Sequence, residues 1–345
     1  MDNSRPAVDA VVQEAHAHFS QDQEATETYR GSNAAISEAP STLLCYLNGE
    51  ILPLREASIG ILTHAMSYGT GCFEGIRAYY NQGRDQLYLF RAPEHYARMR
   101  HSAKVLMIGL PHPPEELVEI TRDLIARSAL RCDTYIRSMA YKASEVIGVR
   151  LHDLADGMYI TVQPFGDYIE TNRAINACTS SWRRTDDTMI PARAKVTGAY
   201  VNSALAKSEA VLNGFDEAIM LDHNGHVCEA SAENLFMLRG GRLITPPVTD
   251  NILEGITRHT VMTLLRAELG FEVEERPIDR TELYVCDELI LCGTGAQIVP
   301  VGSVDHRPVG SGTAGELGKA LQRLYLNVVR GEIPKYEHWC QPVYS

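Results

Sequence analysis

Residues 191–215, PARAKVTGAYVNSALAKSEAVLNGF, hold Lys195 and Lys207, two of only six lysines in the chain. The others are Lys104, Lys142, Lys319 and Lys335, and arginine supplies the remaining 26 of the 32 basic residues. A chain that otherwise takes its positive charge from arginine uses lysine where an amine has to react as an amine, because a guanidinium stays protonated. Lys195 is therefore a candidate for covalent chemistry. Two other stretches suit an anion. In LEGITRHTV, Gly255 leads through Ile256 and Thr257 into a helical pattern. Free backbone N–H groups, the positive end of the helix dipole and the Thr257 hydroxyl would receive a phosphate there. In CGTGAQ, residues 292–297, a Gly/Thr turn closes a strand and can also cradle an anion. Taken singly, Thr257 is better explained as a plain N-cap, and the turn as only a turn.

The elements that must position these groups show in the pattern. TLLCYLNGEILPL is a hairpin around Asn48-Gly49. QLYLFRAPEHYARMRHSAKVLMIGL runs from a strand through Pro93 into a helix with Tyr96, Met99, Ala103 and Leu106 on one side. PPEELVEITRDLIARSAL is a second helix, with Leu117, Ile120 and Leu124 at helical spacing. The strands TYIRSMAYKA and GMYITVQPF complete an α+β unit, and the pattern breaks at Pro164 and Gly166. Beyond the break, YVNSALAKSEAVLNG is a helix ending at Asn213-Gly214. Hairpins follow around Asn224-Gly225 and Gly240-Gly241, then a helix between Gly255 and Gly270. The strands FEVEERPI and DELILCGTG and the late helix AGELGKALQRLYLNVV complete the chain. So many hairpins predict mixed or antiparallel sheets.

Length and composition set bounds. At about 150 residues per domain, 345 residues suggest two domains. The net charge of −12, without any Lys/Arg block, excludes nucleic acid as a partner. No apolar run approaches the roughly 18 residues a membrane span needs, so no membrane partner is expected. The first 40 residues carry seven acidic and two basic side chains and no apolar h-region. They are expected to be a polar leader outside the main fold of a cytoplasmic protein. Eight dispersed cysteines with no CxxC predict buried free thiols. Twelve histidines form no HExxH or Cys/His cluster, although HAHF places His16 close to His18, and no metal site is expected.

A reactive lysine, a phosphate-compatible helix start and a Gly/Thr turn, without a metal or GxGxxG signature, suggest a pyridoxal phosphate enzyme. That cofactor needs an amine, a carboxylate against its ring nitrogen and a phosphate cup. Residues 45 to 305 closely resemble the branched-chain amino acid aminotransferases, which are fold type IV pyridoxal phosphate enzymes. The resemblance rests on seven motifs in order: HAMSYGTGCFEGIRAY, FRAPEHYARM, YIR at 135–137, AKVTGAYVNSALAKSEA, DHNGHVCEASAENLF, TPPVTDNILEGITR and CGTGAQIVPV.

By position, the resemblance makes Lys195 the catalytic lysine, which binds the cofactor covalently and moves the proton between the substrate Cα and the cofactor C4′. It implies that Tyr200 hydrogen-bonds the phenolic oxygen and that Glu229, with Glu233 as its rival, faces the pyridinium nitrogen. Leu253 would pack on one face of the ring. Arg98, Gly255, Ile256, Thr257, Gly293 and Thr294 would hold the phosphate. Phe73, Gly75, Tyr135, Tyr168 and the Gly295-Ala296 turn would form the substrate pocket, with Arg137 receiving the distal carboxylate of glutamate. Tyr68, Ile147 and Val149 would reach in from a neighbouring subunit of a homodimer or a larger assembly of dimers. Many family members carry KAGGNY where this chain has KVTGAY, and alanine where it has Gly295, which implies slight differences in carboxylate binding and pocket volume.

The fold class implied is α+β with two domains: a smaller N-terminal α+β domain at 41–162, a linker at 163–173 and a larger C-terminal mixed-sheet domain at 174–345. The cofactor would lie between them. The implied reaction moves the amino group of leucine, isoleucine or valine to 2-oxoglutarate, giving branched-chain 2-oxo acids and glutamate. A D-amino acid or (R)-amine aminotransferase, or an aminodeoxychorismate lyase, is the alternative on the same fold; retention of YIR, FEGIR and CGTGAQIVPV argues against it. A non-catalytic binding protein would be marked by loss of Lys195 or Glu229, and both are present.

Overall fold

The first hairpin turns where its sequence requires it. Asn48 and Gly49 have φ of 49° and 103°, the left-handed pair that a two-residue turn between twisted strands needs, and they join Leu44–Leu47 to Glu50–Pro53. The computed structural model describes residues 43–166 and 173–344. Its first sheet has seven strands in the order Cys340–Pro342, Gln86–Phe90, Gly71–Asn81, Thr134–Lys142, Asp156–Pro164, Leu44–Leu47 and Glu50–Pro53. Every neighbouring pair in it is antiparallel. The helices Ala92–Val105 and Pro114–Arg127 bury Tyr96, Met99, Leu117 and Leu124 in one core with Ile76, Ile136 and Ile160 of the strands. Ile120 is only partly buried at the edge of that core.

The second sheet has nine strands and mixed direction. Its path runs Val273–Glu275, Arg242–Thr245, Asn234–Arg239, Glu288–Gly293, Gln297–Val304, Ile175–Thr179, Glu217–Leu221 and Val227–Ala230, with Arg307–Pro308 beside Gln297–Val304. Ile175–Thr179 pairs in parallel with both of its neighbours, and the other parallel pair lies at the far edge. Helices Ile256–Glu268 and Glu316–Val329 pack Val261, Leu264, Leu321 and Tyr325 against Ile290 and Ile298. Helix Tyr200–Leu212 ends at Gly214, whose φ of 82° lets the chain turn away.

The structure differs from the sequence pattern at particular places. FEVEERPI shortens to the strand Val273–Glu275, because Pro277 can donate nothing to a ladder and the two glutamates are exposed. Gln163 and Pro164, expected in a linker, still belong to the strand Asp156–Pro164. The terminal strand Cys340–Pro342 returns to the first sheet and pairs with Gln86–Phe90. Seven of the eight cysteines are buried, Cys132 is half-buried, and all are free thiols. Among the described residues, no helix is long and apolar enough to cross a membrane. Residues 1–42, including His16 and His18, lie outside the described residues.

Candidate active site

Lys195 is clamped by its backbone before its side chain does anything. Its N–H donates to Ser102 Oγ at 3.0 Å and its carbonyl accepts from Phe73 N–H at 3.1 Å. Val196 forms a bridge to Cys72, and Gly198 N–H donates to Gly69 O at 3.2 Å. A Cβ on Gly69 would lie 3.0 Å from Gly198 Cα, so this close approach and the positive φ of 65° both favour glycine. Stitched to the first sheet in this way, Lys195 has little freedom except at its amine. Nζ donates to the Tyr200 hydroxyl at 2.6 Å. Tyr200 opens its helix and meets Phe73 edge-on, with ring centroids 4.7 Å apart.

The amine enters a cavity of about 370 Å³. Phe73, Gly75, Tyr135 and Arg137 line it from two paired strands in which Gly75 lies opposite Arg137. Strand alternation puts Tyr135 and Arg137 on one face. Arg137 Nη2 donates to Tyr135 OH at 3.0 Å, and its guanidinium lies 4.4 Å from the centre of the Phe73 ring. A Cβ on Gly75 would fall 2.1 Å from Tyr135 OH, so the absence of a side chain there makes the room Tyr135 occupies. Arg98 lines the same cavity from helix Ala92–Val105.

The opposite wall comes from the second sheet and from the loop and helix start at residues 253–257. Glu229, Leu253, Gly255, Ile256, Thr257, Gly293, Thr294 and Gly295 all line it. Glu229 is buried, and its Oε1 lies 2.6 Å from Arg184 Nη2. Its Oε2 accepts from Asn234 Nδ2 at 2.9 Å and from Leu253 N–H at 3.1 Å. Burial pushes the Glu229 carboxyl up, while Arg184, the Leu253 N–H and Lys195 pull it back. Glu233 also lines the cavity, but burial and then the negative charge of Glu217 push it up to about 8. Of the two carboxylates, Glu229 has the counter-cation in contact. Asn234 Nδ2 also donates to Leu253 O at 3.0 Å, and a Cβ on Gly255 would lie 1.9 Å from Asn234 Oδ1. Glycine at 255 therefore brings the start of helix Ile256–Glu268 up against this network, with its first-turn N–H groups lacking intrahelical partners.

Not every residue expected at the site lines it. Ala296 is buried outside the lining, in the turn before Gln297–Val304. Tyr68, Ile147 and Val149 are exposed and do not line the cavity of their own chain. Tyr168 lies outside the described residues. Three polar side chains without an expected role matter here: Glu74, Arg184 and Asn234. Glu74 and Asn234 stand inside quoted motifs, FEGIR and AENLF, so their positions carried a signal. Arg184 follows another arginine in SSWRRTDD and looks like surface charge until the fold brings it to Glu229.

The model of the amino-transferase class IV family matches residues 71–304, more than half of the chain. The chain belongs to the class IV aminotransferases. Among curated relatives, this aminotransferase is 49% identical over 300 residues to the "probable branched-chain-amino-acid aminotransferase" of Aquifex aeolicus, covering 87% of this chain and 96% of that one. Among solved structures, the branched-chain amino acid aminotransferase of Thermobaculum terrenum in its PLP-form superposes with a TM-score of 0.85 at 37% identity, covering 89% of this chain and 100% of that one. The branched-chain aminotransferase of Thermoproteus uzoniensis, solved with norvaline, gives 0.84 at 38% identity, covering 88% and 99%. The fold of this aminotransferase is thus the α+β fold of the family. Its cavity has a donor set that fits pyridoxal phosphate: one amine, one arginine-paired carboxylate at the opposite wall, and an arginine and a helix start for a phosphate.

Proposed function

We propose that this chain transfers the amino group of branched-chain L-amino acids to 2-oxoglutarate, using pyridoxal 5′-phosphate held in this cavity. The observation that carries the proposal is the Lys195 amine, hydrogen-bonded to Tyr200 at 2.6 Å in a cavity also lined by Glu229 and by Arg98, Arg137 and Arg184. When bound, the cofactor supplies an electron sink that stabilises charge at the substrate Cα. Lys195 attaches it and carries the proton at Cα. Tyr200 holds the amine and the phenolic oxygen. Glu229, oriented by Arg184 and Asn234, holds a proton at the ring nitrogen through its negative charge. Leu253 would pack on the ring of the bound cofactor. The N–H groups of Ile256 and Thr257, with Thr294, Gly255, Gly293 and Arg98, would hold the phosphate.

The substrate side of the cavity has two characters. Phe73 and Tyr135 offer apolar surface to a leucine, isoleucine or valine side chain. Arg137, resting on the Phe73 ring, offers charge to the distal carboxylate of glutamate or 2-oxoglutarate. Closure on the solvent side falls to a second copy. Ile61, Leu62, Met66, Ile147 and Val149 are large apolar side chains left exposed on one chain. The Ile147–Val149 segment is held in place, since His64 Nε2 lies 2.7 Å from Gly148 O and Gly148 N–H donates to Tyr68 OH at 3.1 Å. In a homodimer this patch is covered, and Tyr68, Ile147 and Val149 reach the neighbour's cavity.

A panel of L- and D-amino acids with 2-oxoglutarate tests the substrate class. Glutamate should accumulate with L-leucine, L-isoleucine and L-valine and not with the D-enantiomers; preference for D-amino acids or (R)-amines would replace the proposal with the related activity. Borohydride should fix the cofactor to Lys195, and a label on Lys207 would overturn the assignment of the amine.

A further inference from the structure

Glu229 is paired with Arg184 inside the cavity, and a second buried carboxylate, Glu74, is paired with Arg98 from outside it. Glu74 lies on the strand Gly71–Asn81, between Phe73 and Gly75, which line the cavity. Alternation turns Glu74 to the other face with Cys72 and Ile76, toward helix Ala92–Val105. Its side chain is completely buried. Oε1 accepts from Arg98 Nε at 2.7 Å and Oε2 from Arg98 Nη2 at 2.7 Å, a bidentate fork. His95, three residues before Arg98 on the same helix, lies with Nδ1 2.7 Å from Oε2. Because a carboxylate only accepts, Nδ1 carries the proton. Arg98 Nη1 donates to Glu254 O at 2.9 Å, in the residue just before Gly255.

A guanidinium has five N–H bonds. Glu74 and Glu254 O engage one on each of the three nitrogens, which leaves one on Nη1 and one on Nη2 for the cavity. Two effects of Glu74 oppose each other. Its charge offsets that of Arg98 and weakens attraction for an anion. Its fork also fixes the guanidinium in one orientation, so anion binding does not have to freeze a long, flexible side chain. Without Glu74, the described contacts would leave a nearly buried cation held by a single carbonyl. Orientation is therefore the larger effect.

We propose that Glu74 is a positioning residue for anion capture, holding Arg98 so that its two remaining N–H bonds face the cofactor phosphate. This rests on the reading that Arg98 meets that phosphate. Neither His95 nor Glu74 touches the cofactor; they act through Arg98.

The test uses the full chain stripped of cofactor and titrated with pyridoxal 5′-phosphate and, separately, with pyridoxal. Both ligands react with Lys195, so the ratio of the pyridoxal dissociation constant to that of pyridoxal 5′-phosphate isolates the phosphate. In Glu74→Gln, affinity for the phosphorylated ligand should fall roughly tenfold, with pyridoxal changed by less than about threefold. Arg98→Ala should reduce the ratio further, and adding Glu74→Gln to Arg98→Ala should have no additional effect on it. If Glu74→Gln does not fold, Glu74→Asp keeps the charge but shortens the fork, and should lower the ratio in the same direction. An unchanged ratio, or tighter binding of the phosphorylated ligand, in a folded Glu74 variant would overturn the positioning role. If Arg98→Ala itself leaves the ratio at the wild-type value, the phosphate reading of Arg98 fails and this proposal falls with it.

Discussion

The inner wall of the cavity and the exposed Ile147–Val149 segment are built in opposite ways. At the inner wall, Glu229 is 4% exposed and Thr257 5%, and the polar side chains have partners within the chain: Arg184 and Asn234 on Glu229, Glu74 on Arg98. In the exposed segment, Ile147 is 96% exposed and Val149 77%. The difference teaches where each half of the chemistry is prepared. Groups that must hold charge away from water are fixed by the folding of one chain, because leaving any of them unpartnered costs several kcal/mol. Groups that only exclude water from an apolar substrate can be supplied by a second chain.

The contrast can be broken most severely at Lys195. Replacing it with alanine should lower transamination on the order of 10⁴-fold while the protein still folds, checked by turnover and circular dichroism. Comparable residual turnover in Lys195→Ala and wild type would remove the inner wall from the chemistry.

The exposed segment is next. In the proposed dimer Val149→Asp would place a carboxylate against an apolar substrate, so this variant should be nearly inactive. Refolded in equal amounts with Lys195→Ala, the two should recover about a quarter of wild-type activity, since half the dimers are mixed and each rebuilds one of its two sites. Verified heterodimers no more active than either parent would mean that Val149 serves its own chain.

Stability should separate the walls further. Burial alone would raise the Glu74 carboxyl, but the charge and hydrogen bonds of Arg98, and then those of His95, bring it down to about 2 from 4.5. A carboxyl depressed in the folded state contributes stability that is complete above its unfolded value and is lost as pH falls toward the folded one. The contribution, roughly 3 kcal/mol, should therefore disappear between pH 4.5 and about 2. Urea unfolding of wild type and Glu74→Gln at pH 6 and pH 3 isolates it: their difference should shrink at the lower pH. A difference independent of pH would assign the loss to packing.

The smallest effect sharpens the substrate side. Arg137→Ala should weaken glutamate and 2-oxoglutarate by roughly ten- to a hundredfold in kcat/KM and leucine far less, because only the dicarboxylates bring a second charge. Equal losses would place the arginine on the shared α-carboxylate or in the fold.

Local chemistry made much of this protein legible from its sequence. Asn48-Gly49 and Gly240-Gly241 fix their turns because few residues tolerate positive φ, and both hairpins form there. Helix Ile256–Glu268 begins after Gly255 and ends just before Gly270, as spacing and caps require. Lys195, Tyr200, Glu229 and Arg98 were named because they stand at fixed places in contiguous motifs. The central strand Gly71–Asn81 gave no such signal: it is buried along nearly its whole length, so it has no polar face to alternate with. Nor did the return of Cys340–Pro342 to Gln86–Phe90, a pairing across some 250 residues that only backbone hydrogen bonding in the assembled sheet decides. Glu74 with Arg98 and Glu229 with Arg184 belong to the same class, since a charged side chain acquires its meaning from the partner that folding buries beside it. The sequence by itself determined the turns, the helix ends and the motif in which Lys195 stands, because those depend on neighbours along the chain. The tertiary structure alone decided which cation steadies which carboxylate, because that depends on strands and helices brought together from far apart and on the loss of water between them.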